Sequence, residues 1–260
     1  MRRSVRGKRV LLTGASRGIG RRLAELLLAR GAQVVVSARS PHELSTIAGA
    51  TPIAADLTSA PDRARLVADA VATLGGLDLL VNCAGVCSFG EFATSSEAIN
   101  RQVMELNFFA PVELTRLAMP HLKRGRQPAV VNVASVAGRV GIPSFTEHAA
   151  SKHALVGMSE AWRAEFARFD VDVLLALPGL VRTDDLSRHL LRNEGRIAID
   201  YADGISPEDA VLGVLGIIEN NRTEAAIGRT AWWLRFGKMK WPRFVRWYFL
   251  RKARRFRTSP

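Results

Sequence analysis

Short runs of aliphatic and β-branched residues alternate along the chain with longer stretches in which apolar positions recur every three or four residues. The short runs fall at 10–12, 33–37, 52–55, 77–82, 130–134 and 171–176, each bounded by turn residues, and predict buried strands. The longer stretches, at 20–30, 62–74, 97–122 and 146–169, predict helices. Strands separated by helices form βαβ units, whose crossovers are right-handed and whose sheet is parallel with both faces covered. Ligands of such a sheet sit at the carboxyl ends of its strands.

The connection between the first strand and the first helix reads Thr13-Gly14-Ala15-Ser16-Arg17-Gly18-Ile19-Gly20. Glycine lets this turn tighten and lets backbone N–H groups approach a ligand, while the helix aims its positive end at the same point. That is a phosphate cradle, with Gly14, Ser16, Arg17, Gly18, Ile19 and Gly20 as its candidates. The expected fold is therefore α/β: a Rossmann-type doubly wound parallel sheet in a single domain over residues 1–228. The second strand runs into Ser37-Ala38-Arg39 with no acid to hold a ribose hydroxyl pair. Arg17 and Arg39 suit a 2′-phosphate instead, which favours NADP(H) over NAD(H); the plainer reading is two solvated loop charges. Asp56-Leu57 follows the third strand, where Asp56 either meets an adenine edge or caps a helix.

Composition narrows the classes. With 48% hydrophobic residues in 260, the chain is not disordered, and no apolar run is long enough to span a bilayer. Cys83 and Cys87 are the only cysteines; with no nearby His they make neither a disulfide framework nor a metal site, and a reducing cytoplasm is the expected compartment. The net charge of +13 is uneven. Residues 229–260 hold eight Arg, three Lys and no acid, leaving 26 basic against 24 acidic residues elsewhere. This arm also carries Trp232, Trp233, Trp241 and Trp247, four of the five tryptophans, and Trp241-Pro242 is expected to open a second short helix there. Three readings compete for it: a helix lying on an anionic membrane surface, an arm packing on the core or a partner subunit, and, less favoured, a single-stranded nucleic-acid patch.

Further motifs follow in order: Asn82-Cys83-Ala84-Gly85 after the fourth strand, Asn107 inside the long helix, Ser135 after the fifth strand, Ser151-Lys152 in the next helix, and Pro178-Gly179 after the sixth strand. Together with the glycine turn this order resembles the short-chain dehydrogenase/reductase family, over nearly the whole core. The resemblance implies hydride transfer between a nicotinamide cofactor and a carbonyl or alcohol. It implies that Ser135 binds the substrate oxygen, that Lys152 holds the nicotinamide ribose and tunes the acid/base, and that Asn107 anchors a water. It places Asn82, Ala84 and Gly85 along the cofactor, with Pro178, Gly179, Val181 and Thr183 closing against the nicotinamide amide. It also implies a homodimer or homotetramer built on the long helices.

One position departs from the family. The tyrosine expected four residues before Lys152 is His148, and the only tyrosines are Tyr201 and Tyr248. His148 and Lys152 are i and i+4 and share a helix face. A nearby Lys⁺ lowers an imidazole pKa that starts near 6.5, so His148 should be neutral at pH 7: an acceptable base and a poorer acid. Three readings stay open: an oxidoreductase of an apolar secondary alcohol or ketone that uses His148 directly or through water, an NADP(H)-binding protein with lost or altered catalysis, and a tyrosine replaced by histidine through mutation or drift with nothing gained. Ser144, Phe145 and residues 184–201, with Leu186, Arg188, Leu190, Leu191 and Arg192, are expected to line an apolar entrance. His153 is expected on the helix surface or against a neighbour, and His121 at a helix end.

Overall fold

The computed structural model describes residues 2–182, 190–191 and 204–254. Among them β1 (Arg9–Thr13), β2 (Gln33–Ala38), β3 (Thr51–Ala54), β4 (Leu79–Asn82), β5 (Ala129–Val133), β6 (Asp172–Pro178) and β7 (Glu224–Ile227) form one sheet. Every neighbouring pair is parallel, and the order β3-β2-β1-β4-β5-β6-β7 reverses between β1 and β4. That reversal is the switch point at which a doubly wound sheet binds its ligand. The helices are α1 (Gly18–Ala29), α2 (Pro41–Ser45), α3 (Ala60–Leu74), α4 (Glu97–Met104), α5 (Ala110–Leu122), α6 (Thr146–Ala167), α7 (Pro207–Glu219), α8 (Arg229–Lys240) and α9 (Pro242–Arg254).

Strand periodicity builds two cores from one run of residues. In β1, Val10 and Leu12 pack with α1 and α7 through Leu23, Leu27, Val214 and Ile218. Leu11 points the other way, into a core with Leu66 of α3 and Leu114 and Leu122 of α5. Both faces are covered, so the strands read as continuous apolar runs rather than alternating ones. Ser40, Ser59, Ser96 and Ser206 start α2, α3, α4 and α7 by accepting from the N–H three residues on.

The structure corrects the long helix expected at 97–122. It divides at a π-helical turn, Glu105–Phe109, and α5 begins there with Pro111 in its first turn. Pro111 has no N–H, so the Asn107 carbonyl lacks the i+4 donor an α-helix would supply. The structure also has two helices, α2 and α7, and a strand, β7, that the pattern did not predict. The arm is helical, and its second helix starts at Pro242 as expected. Among the described residues no helix is long and apolar enough to cross a membrane, and no cluster suits a metal ion.

Candidate active site

The glycine turn closes onto β4. Gly14 has φ +74, and a Cβ there would stand 2.6 Å from Ala84 Cα, so only glycine fits. A Cβ on Gly20 would collide with the Gly14 carbonyl, whereas Gly18, at φ +55, has open space around it. Thr13 fastens the two strand ends, its Oγ1 accepting from Cys83 N at 3.2 Å and Ala84 N at 3.3 Å. Arg17 occupies the N-cap of α1 with no side-chain capping bond, which leaves the first N–H groups of the helix for an anion. Ser16 and Ile19 are half-buried beside it. The Ser37 hydroxyl in β2 is buried with no partner among the described residues. An open cradle, uncapped N–H groups and, beside them at the end of β2, an orphaned hydroxyl fit a dinucleotide.

Around that cradle Arg17 is half-buried and Arg39 exposed, and neither makes an ion pair among the described residues. Asp56 does not cap α3; Ser59 does. Instead Asp56 closes an Asx turn, accepting from Thr58 N at 3.0 Å and Thr58 Oγ1 at 2.8 Å, and these bonds hold its carboxyl below the usual range. Leu57 lies in the core. Asn82 turns inward, its Nδ2 donating to Asn132 Oδ1 at 2.9 Å and Thr115 Oγ1 at 3.3 Å. Asn132 continues the ladder to Ser159 of α6 at 2.9 Å, so this polar chain locks β4, β5, α5 and α6 together.

Asn107, His148 and Lys152 meet at the ends of β4 and β5. A Cβ on Gly85 would lie 3.1 Å from Asn107 Oδ1 and 3.5 Å from Lys152 Nζ, so the absence of a side chain keeps this space clear. Asn107, fully buried, clamps the peptide of Val86. Its Oδ1 accepts from Val86 N at 2.8 Å, and its Nδ2 donates to Val86 O at 2.9 Å and to Ser151 Oγ at 3.0 Å. His148 Nδ1 faces the same Val86 oxygen at 3.2 Å. A carbonyl oxygen only accepts, so Nδ1 carries the proton and the neutral ring keeps its lone pair on Nε2. Burial and the charge of Lys152 push the imidazole down to about 4. Lys152, 5% exposed, donates to Val133 O at 3.1 Å; its other two donors have no partner among the described residues. Burial lowers it to about 8.

Ser135 follows β5. Its Oγ accepts from Ala137 N at 3.1 Å and lies 3.4 Å from Pro178 O at the end of β6. Gly179 N donates to Ile227 O at 3.0 Å, and Val181 bridges to Ile205. Thr183 and, apart from Leu190 and Leu191, residues 184–201 lie outside the described residues. Leu191 N donates to Cys87 O at 2.9 Å, next to the clamped Val86. Phe89 and Phe145 pack with ring centroids 4.8 Å apart on the two loops flanking His148. Burial raises Cys83 to about 11 and Cys87 to about 12, so both are inert thiols. His153 is exposed, as expected, and His121 lies in the last turn of α5. Sequence reasoning gave no role to Thr13, Ser151 or Glu147. Ser151 was legible as the residue one turn past His148 on the same face. Glu147, buried and accepting from Ser88 Oγ at 3.0 Å and from Ser95 Oγ, had no such signal.

A dinucleotide cradle beside a buried Lys, a neutral imidazole and a strand-end serine defines an oxidoreductase site on a doubly wound sheet. Residues 8–193 match the family model for short chain dehydrogenases, and the chain belongs to the short-chain dehydrogenase/reductase family. It is 30% identical over 254 residues to a dehydrogenase/reductase SDR family protein 7-like of Anopheles gambiae, covering 90% of this chain and 80% of that one. It is 32% identical over 232 residues to the ketoacyl reductase HetN of a Nostoc species, covering 86% and 79%. Among solved structures, a short chain dehydrogenase from Burkholderia cenocepacia in complex with NADP superposes with a TM-score of 0.83 at 30% identity, covering 95% of this chain and 99% of that one. The family uses nicotinamide cofactors, and the chain is an oxidoreductase of this type.

Proposed function

We propose that the protein moves hydride between NADP(H) and an apolar secondary alcohol or ketone, with His148 as the acid/base and alcohol oxidation as the favoured direction. The observation that carries this reading is the His148–Val86 contact, which leaves Nε2 as a lone pair at neutral pH. The glycine turn would hold the cofactor's phosphates and Lys152 its nicotinamide ribose, and the group when bound would supply the hydride acceptor for the carbinol carbon. The chain's residues do the rest. Ser135 Oγ donates to the substrate oxygen, Nε2 takes the hydroxyl proton directly or through one water, and the product is the ketone. Lys152 offers ribose hydroxyls the two donors that have no partner among the described residues, and burial together with its charge keeps the imidazole neutral. Asn107 holds Val86, and through it the imidazole; its carbonyl, lacking a helical donor, offers a water a place in the relay.

NADP(H) over NAD(H) is supported by Arg17 and Arg39 at the ends of β1 and β2 and by the missing acid. An apolar substrate is supported by Phe89, Phe145 and Leu191 around the mouth. A homo-oligomer is supported by Phe109, 47% exposed beside α5. The test is cofactor reduction with a panel of apolar secondary alcohols, comparing wild type, His148→Ala and His148→Tyr. Turnover by wild type that His148→Ala loses supports the reading. Silence in wild type with turnover by His148→Tyr means that the chain binds cofactor without catalysing, which overturns it.

A further inference from the structure

Surface helices normally bury their apolar stripe. The hairpin of α8 and α9 does the reverse. Its inward contacts are small: Ala231 and Gly237 are buried on α8, and Val245 on α9, with a Cβ on Gly237 standing only 3.2 Å from Val245 Cγ2. The hairpin is fastened to the body by Arg235, which donates to Glu224 of β7 at 2.8 Å. Most of the large side chains face out, with Leu234, Phe236 and Phe249 half-buried. Trp232, Phe236 and Met239 follow i, i+4, i+7 on α8, and Phe244, Trp247, Tyr248 and Arg251 follow i, i+3, i+4, i+7 on α9. Among the described residues, eight of the eleven exposed large hydrophobics lie in this hairpin, Phe244 at 60% and Trp233 at 55%. Their rings brace one another, Trp232 on Phe236 at 5.0 Å, Phe236 against Trp241 at 5.5 Å and Phe244 against Trp247 at 5.6 Å. An exposed apolar face of this kind marks an interaction surface.

Charge decides what meets it. Residues 229–260 carry eleven cations and no acid, so the partner is anionic over a wide area rather than at one spot. Cations interleave with the rings, Arg251 lying over Trp247 at 5.4 Å. Lys238, Arg243 and Arg246 also line a groove of about 470 Å³ together with Val140, Pro143 and Phe249, a mixed cationic and apolar lining that suits an anionic head and its acyl chain. Tryptophan and tyrosine with lysine and arginine are the side chains that settle at the boundary between lipid headgroups and acyl chains. A flat bilayer also asks for no fixed shape complementarity, unlike a folded protein partner. We infer that the α8–α9 hairpin docks the protein on the surface of an anionic lipid bilayer, rings at headgroup depth and cations on the lipid phosphates.

The experiment uses the full chain, because Ala231 and Arg235 tie the hairpin into the fold and deletion would not be clean. Flotation and tryptophan emission are measured with vesicles of phosphatidylcholine alone and of equimolar phosphatidylcholine and phosphatidylglycerol. Of the five tryptophans only Trp162 lies outside the arm, and it is buried, so a blue shift reports the hairpin. The expected result is binding to the anionic vesicles at least tenfold tighter than to the neutral ones, with a blue shift, and weakening at raised salt. The combined exposed-ring variant Trp233→Ala, Phe244→Ala, Trp247→Ala and the charge variant Arg243→Glu, Arg246→Glu should each lose most of this binding while melting like wild type. Absence of binding to either vesicle, or binding that neither variant weakens, overturns the inference. So does a wild-type oligomer that the ring variant dissociates without any vesicle binding, which assigns the face to a second copy. Tryptophan quenching by a single-stranded oligonucleotide with vesicles inert overturns it too, in favour of nucleic acid.

Discussion

The Nδ1 of His148 lies 3.2 Å from the carbonyl oxygen of Val86, and that one contact sets the chemistry of the imidazole. It fixes the tautomer, orients the ring and leaves Nε2 to accept a proton. A base works only when unprotonated, so oxidation falls as pH drops through its pKa. With His148 held at about 4 by burial and by Lys152, kcat/KM for alcohol oxidation should stay level through weakly acidic pH and decline only toward pH about 4. A phenol starts near pKa 10, so His148→Tyr should move the acidic limb upward by several pH units. A limb that stays in place in His148→Tyr would show that another group titrates.

Asn107 commits both amide hydrogens and its oxygen to Val86 and Ser151. Asn107→Ala leaves the half-buried Val86 N–H without its acceptor and loosens the carbonyl that orients His148. An unsatisfied buried group costs about 1–3 kcal/mol, so the variant should unfold about 1–3 kcal/mol more easily in urea. Its kcat should fall by more than its KM for substrate rises, since the loss reaches the base and not the pocket. A variant with unchanged kcat would show that the clamp is structural only.

The glycine turn, the alternation of strands and helices and the shared helix face of His148 and Lys152 were legible because each rests on a local rule. Glycine at φ +74 and +55 for Gly14 and Gly18 has few substitutes, and a buried strand of Val and Leu looks like nothing else at that length. Other features were not legible for physical reasons. α7 is apolar nearly all round, so its period is masked, although Ser206-Pro207 marks its start. β7 is four residues of Glu-Ala-Ala-Ile and carries almost no strand signal. The break in the long helix was marked by Pro111, but a π turn that absorbs a proline is a tertiary outcome. Asp56 was ambiguous because Ser59 competes for the same cap.

At the adenosine end, the discrimination between cofactors should rest on guanidinium groups. Arg39, exposed at the end of β2, has a planar fork suited to a phosphate dianion. Arg39→Asp replaces that attraction with repulsion and supplies the ribose-binding acid the chain lacks. The ratio of kcat/KM for NADP over that for NAD should fall by at least about tenfold, about 1.4 kcal/mol, and Arg17→Ala should push it the same way by less. Fluorescence titration of the two reduced cofactors reads the same change without turnover. Equal affinities before and after would assign both arginines to solvent.

Lys152 makes stability itself depend on pH. Burial lowers its pKa from 10.5 to about 8. Below about pH 8 the ammonium is charged in both the folded and the unfolded chain, and the full cost of burying it is present. Between about pH 8 and 10.5 the folded chain sheds the proton while the unfolded chain keeps it. The unfolded state then binds more protons, so stability rises with pH. The rise attributable to this one group is about 3 kcal/mol, since each pH unit separating the folded and unfolded pKa values is worth roughly 1.4 kcal/mol. Lys152→Met keeps the volume and removes the charge, so it should be more stable than wild type at pH 7 while having no turnover. Urea unfolding of both proteins across this range should show the advantage of the variant shrinking from pH 8 upward and nearly gone by pH 10.5. Other titrating groups cancel in that difference. Two parallel curves would mean that the ammonium keeps its water in the folded protein, and that the lowered imidazole beside it owes little to a desolvated Lys152.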